Sequence, residues 1–150
     1  MSEETTSDSE IRQHIYDRTI TTGRPPLSRE VAKTLGLDRG EVLDAFRRLH
    51  ARRLLALAPD TGEIVMAPPF STVPTPFLVK SETRPYFANC VWDAFGIAAA
   101  LHQDVAIEAS CGCCGEPMTL GVQGGSPAPV PAIAHFAVPA ARWWDNITYT

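Results

Sequence analysis

No stretch of this 150-residue sequence approaches the run of about 18 apolar residues that a membrane-spanning helix requires. The opening residues, Met1 to Glu10, are rich in Ser, Thr and Glu and hold no apolar core, so no secretory signal is readable. A cytoplasmic protein without membrane contact is therefore expected, with its thiols reduced. Positive charge is not in excess: 13 Lys+Arg stand against 17 Asp+Glu, a formal net charge of -4, which argues against a general coat for nucleic acid. There is no Gly-rich phosphate loop of the P-loop or Rossmann type, no G-x-S-x-G, and no carboxylate pair at a persuasive spacing. No internal repeat is present. With the four cysteines reduced in that compartment, cysteine chemistry is expected rather than a disulfide framework.

What is present falls into two unlike halves. Ten of the 13 basic residues lie between Arg12 and Arg53, whereas all four cysteines and all three tryptophans lie beyond position 89. Between them, Ala67 to Pro76 (APPFSTVPTP) carries four prolines in ten residues, a composition that breaks helices and central strands. The expected organisation is an N-terminal unit over residues 1–66, a proline-rich linker over 67–80 and a second domain over 81–150.

The first unit has the pattern of a winged helix-turn-helix. Ile11 and Ile15 mark a helix over about residues 9–19. Ser28 can cap a second helix, with Val31 and Leu35 inward and Gly36 as its stop. Asp38, with Glu41 three residues on, resembles a capping box for a third helix whose apolar stripe is Val42, Phe46 and Leu49. Leu54–Leu57 and Ile64–Ala67 flank the turn Pro59-Asp60-Thr61-Gly62 and read as a hairpin wing. Arg39, Arg47, Arg48, Arg52, Arg53 and His50 on or beside the third helix suit DNA phosphates. Against DNA, the first 63 residues hold 10 basic and 11 acidic side chains, so a module that packs on the second half or on a partner is the favoured alternative.

The second half carries the thiols. Tyr86 to Leu101 (YFANCVWDAFGIAAAL) has helical periodicity, with Gly96 as a mild fault. Cys90 and Asp93 then stand at i and i+3 on one face. With Asn89 as N-cap, Cys90 enters the first turn, where backbone N–H groups favour a thiolate. Such a pair can bind a soft metal and move a proton, although a free cysteine on an Ala-rich helix is more often a small buried apolar residue. Residues 105–109 and 118–122 have strand patterns, and the tip between them holds Cys111, Cys113 and Cys114. Thiolates select soft ions, and C-x-C can close a two-coordinate chelate. A four-ligand zinc knuckle is not supported, because no second C-x-x-C or H-x-x-x-H pair exists. The alternative is that one thiol packs inward and the others are incidental. Gly121 to Pro131 reads as a loop, and Phe136–Val138 as a strand preceded by His135. His102 and His135 lack partners at metal-binding spacing and read as surface or core residues. Trp143 and Trp144 read as packing residues.

Together these segments resemble the alkylmercury lyase (organomercurial lyase) family. The residues that carry the resemblance are APPFSTVPTPFLV, YFANCVWDAFGIAAAL with its C-x-x-D, ASCGCCGEPMTL, and the terminal HFAVPAARWWDNITYT. It extends over about Ile11 to Thr150 and is closest from Ala67 onward. The resemblance implies protonolysis of a carbon–mercury bond, with Cys90 as mercury-binding thiolate and Asp93 as the proton-transferring carboxylate. It implies an N-terminal unit that is part of the enzyme, and a structural role for Cys111. No cofactor is implied: Hg(II) is the product, an external thiol accepts it, and mercuric reductase is a possible partner. The family's second active-site cysteine is expected just beyond Thr150, so a fragment is expected; otherwise Cys113 or Cys114 replaces that ligand. Two other functions stand beside the lyase. One is a metal-responsive winged-helix regulator that binds DNA and senses thiophilic metal through Cys111, Cys113 and Cys114. The other is an inactive relative that sequesters metal through Cys90, Cys111, Cys113 and Cys114. The expected fold class is α+β, a winged helical unit followed by a small mixed or antiparallel sheet flanked by the Cys90 helix.

Overall fold

A computed structural model describes residues 6–148. The fold is α+β, with three helices at the start, a sheet that runs on through both halves, and a fourth helix on the sheet. Helices α1 (Thr6–Thr22), α2 (Ser28–Leu35) and α3 (Arg39–Ala51) pack around Ile11, Ile15, Val31, Val42, Phe46 and Leu49, all buried. Helix α1 is longer than its apolar pair indicated. Its polar first turn is tied down by Asp8, buried and paired to Arg48 of α3 at 2.6 Å.

The ends of α2 and α3 follow from local chemistry. Gly36 takes the left-handed conformation (φ 68°) that closes α2 at little cost for a residue without Cβ. Asp38 caps α3 through the N–H of Gly40 at 2.7 Å, and the Glu41 carboxylate accepts from the Asp38 N–H at 3.0 Å. Ser28 differs from expectation. Leu27 is the N-cap, and Ser28 is the first helical residue, buried, with its N–H and hydroxyl donated to Glu63 at 2.7 and 2.6 Å. A carboxylate from the hairpin thus satisfies the open N–H of α2.

Strands β1 (Ala56–Leu57) and β2 (Ile64–Ala67) form the expected hairpin. The region from 67 to 80, expected as a linker, carries two further strands, β3 (Phe70–Ser71) and β4 (Phe77–Lys80). Its prolines stand between strands or just before one, at 68, 69, 74 and 76, where no ladder N–H is lost. A second departure follows. Pro85–Ala88 is strand β5, and helix α4 begins only at Val91 and ends at Leu101. Strands β6 (Val105–Ser110), β7 (Pro117–Gln123) and β8 (Ser126–Pro127) complete the sheet, whose order is β1-β2-β3-β5-β4-β6-β7-β8 with antiparallel neighbours throughout. The loop expected from 121 onward thus opens with the end of β7 and a tight return into β8. No strand forms at 136–138; that stretch leads into a short 3-10 helix, Ala140–Asp145.

One face of the sheet is apolar and covered. Val79 pairs with Tyr86 on one side and Ile107 on the other, and these residues bury Ala94, Ile97 and Ala98 of α4 beneath them. Gly96 is explained by contact: a Cβ there would stand 3.1 Å from the Cβ of Pro69. The two cores meet at an aromatic seam. Phe70 lies 6.5 Å from Tyr16 and 5.4 Å from Tyr86, ring centre to ring centre. Tyr16 donates its hydroxyl to the Pro68 carbonyl, and Tyr86 donates to the Ile20 carbonyl, each at 2.8 Å.

Tyr86 therefore fills the second core and satisfies an open carbonyl near the end of α1. Tyr86→Phe is expected to lower stability by about 1 kcal/mol through the lost hydrogen bond. Tyr86→Ala is expected to lower it by about 3–5 kcal/mol. Urea unfolding checks both; equal losses for the two variants would show that the hydroxyl, not the ring, carries the contribution.

Candidate active site

Cys90 stands where β5 gives way to α4. Its extended backbone (φ -147°, ψ 179°) makes it the N-cap in place of Asn89, one residue later than expected, because β5 holds the preceding residues in the sheet. Asp93 is the third residue of α4, so the first turn folds its carboxylate back toward the cap. The Cys90 Sγ donates to Asp93 Oδ2 at 3.6 Å. The i, i+3 spacing thus brings the two side chains into contact.

Burial governs the protonation of both groups. It pushes the Cys90 thiol above its ordinary value, and the charge of Asp93 adds to that push. The backbone N–H groups of Asp93 and Trp92 pull the other way but are outweighed. The expectation that the helix start yields a thiolate is thus reversed, because desolvation opposes a buried anion more than two N–H groups favour it. Burial also raises the Asp93 carboxyl to about 6, against a smaller downward pull from the Cys90 thiol. Near neutral pH the pair holds one proton, on sulfur, directed at a carboxylate.

The sequence did not signal how the far end of the chain closes on this site. Asn89, expected as a cap, donates its Nδ2 to the Ile147 carbonyl at 3.2 Å. Trp144 lies 6.4 Å from the His50 ring of α3, and Trp143 packs on Phe136 at 5.1 Å while donating Nε1 to the Val138 carbonyl at 2.8 Å. The last described residues thus rest against α3 and reach the residue next to Cys90.

Cys111, Cys113 and Cys114 sit at the expected tip between β6 and β7. Cys111 is half-buried, and the other two are exposed. Strands β5 and β6 both run antiparallel to β4, so they are parallel to each other and both end at the same edge of the sheet. Among the described residues no three His, Cys, Asp or Glu side chains gather as metal ligands. Cys90 contacts Asp93 at the start of α4, and the other three thiols stand on the tip between β6 and β7. His102 ends α4 in the left-handed conformation, and both it and His135 are exposed. A groove of about 540 Å³ crosses the uncovered face of the sheet, lined by Leu78, Phe87, Glu108 and Thr119 among others, and includes neither Cys90 nor Asp93. No helix among the described residues is long and apolar enough to cross a membrane.

Comparison with known proteins agrees with the C-terminal motifs. The model of the MerB family, alkylmercury lyase, matches residues 70–150, more than half of the chain. Among solved structures, the crystal structure of the mercury-bound form of MerB2 superposes with a TM-score of 0.65 at 24% identity. That match covers 85% of this chain and 61% of the other, so this chain spans less than two thirds of that protein's length. At such identity the likeness concerns the fold. No curated protein matches the sequence.

The raised carboxyl has a signature in titration and in stability. Carbon-13 NMR of the Asp93 carboxyl is expected to give a midpoint near 6. In Cys90→Ala that midpoint moves up, since the charged form loses its donor; a downward move would contradict the contact. Asp93 binds its proton more tightly folded than unfolded, so the stability it adds below 3.8 is lost as pH rises through about 6. Asp93→Asn is accordingly expected to raise the melting temperature at pH 8, with the gain shrinking toward pH 4.

Proposed function

The chain belongs to the alkylmercury lyase family, and on that premise we propose that it cleaves carbon–mercury bonds of small organomercurials by protonolysis at Cys90 and Asp93. The observation that carries this reading is the Cys90 thiol held 3.6 Å from the Asp93 carboxylate. The thiol sulfur bonds to mercury as its proton passes to Asp93. Sulfur donates electron density to the soft metal and weakens the bond from mercury to carbon. Asp93 then delivers the proton to carbon, which keeps the electron pair of the breaking bond. The balance is R–Hg⁺ and H⁺ giving R–H and Hg(II).

A carboxyl raised to about 6 suits this task, since it accepts and returns a proton near neutral pH with little penalty in either direction. The reaction needs no cofactor from the protein. Hg(II) leaves on an external thiol, and a cytoplasmic mercuric reductase is a fitting acceptor. The winged-helix reading of the first unit also belongs here, as a scaffold on which the chain end rests. The regulator reading is less favoured for a specific reason. Three arginines that DNA binding relies on are engaged within the chain: Arg48 with Asp8, Arg47 with Asp44, and Arg39 with Glu63 and Ser28.

Benzene release from phenylmercury by the purified chain, with thiol in excess, tests the proposal. Cys90→Ala and Asp93→Asn are each expected to lower the rate by at least about 100-fold, the usual range for loss of a positioned acid–base group. Asp93→Asn should still bind phenylmercury through Cys90. Cleavage that survives both substitutions, or no cleavage by the unmutated chain, would remove the assignment of turnover to these residues.

A further inference from the structure

The hairpin tip between β6 and β7 holds three thiols that the Cys90–Asp93 chemistry does not use. Its backbone is a closed turn. The Cys111 N–H donates to the Glu116 carbonyl at 2.8 Å, continuing the β6–β7 ladder beyond Ser110 and Pro117. Within it the Gly115 N–H donates to the Cys111 carbonyl at 2.8 Å, an i to i+4 bond that makes residues 111–115 a single helical turn. Gly115 leaves the turn in the left-handed conformation (φ 74°), which a residue without Cβ adopts freely.

In one helical turn, residues at i and i+3 share a face whereas those at i and i+2 do not. Cys111 and Cys114 are the pair at that spacing. C-x-C spacing suggested a chelate between 111 and 113, but the turn selects 111 and 114. Cys114 is exposed and Cys111 half-buried, so an ion can reach both from solvent. We propose that Cys111 and Cys114 form a second, two-thiol site for a soft, two-coordinate cation of the Hg(II) class.

The absence of any three-ligand cluster among the described residues fits a two-coordinate ion and disfavours zinc, which requires four ligands. Binding is a plain exchange. Two bonds from Hg(II) to free cysteine break as two form to Cys111 and Cys114, the protons of these thiols pass to the released cysteines, and nothing is oxidised or reduced. The proposed pair does not include Cys90, so its presence and the lyase activity can be tested apart.

The test uses the reduced chain carrying Cys90→Ala and inorganic Hg(II) supplied as its complex with free cysteine in excess. Mercury per chain is measured after gel filtration, and circular dichroism checks the fold of each variant. One Hg(II) per chain is expected. Adding Cys114→Ser, at an exposed position that should leave the fold intact, is expected to lower retained mercury at least about tenfold, because a single thiol loses the advantage of a linked pair over free cysteine. Adding Cys113→Ser instead should leave retention unchanged. Failure of the Cys90→Ala chain to hold mercury, retention by the Cys114→Ser variant, or equal loss in the Cys113→Ser variant would each overturn the proposal.

Discussion

Strand β4 is hydrogen-bonded along both edges, to β5 and to β6, and the arrangement of the molecule depends on that double pairing. With Val79 held between Tyr86 and Ile107, the inner face of the sheet becomes an apolar floor for α4. The same pairing makes β5 and β6 parallel, so the chain leaves both at one end of the sheet. Each exit carries thiols, Cys90 from β5 and the Cys111 turn from β6. The pairing also carries Tyr86 to the seam with Phe70 and Tyr16, where the helical unit and the sheet share one apolar boundary. Strand β4 is thus the strand through which the two sides of the sheet are joined.

The chemistry at Cys90 results from a contest between two effects of the same fold. The start of α4 presents N–H groups that favour a negative sulfur, while the packing of α4 on the sheet removes solvent that would do so more effectively. Burial prevails for Cys90 and for Asp93 alike. The outcome is a thiol and a carboxylate that share a proton, an arrangement poised for transfer. A freer Cys90 would be a better standing nucleophile but would have no proton to pass on. At the Cys111 turn solvent is retained, and the backbone N–H groups act with little opposition. Desolvation and the neighbouring Asp93 carboxylate are what set Cys90 apart from Cys111.

Much of the helical unit was legible because its signals are local. The Asp38–Glu41 box, the Gly36 stop and the stripe of Val42, Phe46 and Leu49 each lie within one or two turns, and each took the form expected. Alternation in β6 and β7 was equally plain. The errors share one cause. Residues 86–89 continue the helical periodicity of α4, yet Tyr86 and Ala88 are claimed by partners in β4 and β3, distant in sequence. The prolines before β4 suggested a break, and they do interrupt the chain, but only between strands. Asn89 was read as a cap for want of any local sign that the Ile147 carbonyl lies beside it.

The sequence by itself determined the helices of the first unit, the hairpin, the thiol-bearing tip and the adjacency of Cys90 to Asp93. These depend on hydrogen bonds and side-chain spacings within a few residues, which order in the chain specifies directly. Only the tertiary structure decided which strands flank β4, where α4 begins, and on which group the shared proton rests. Those outcomes depend on which surfaces lose water, and water is excluded by residues far apart in the chain.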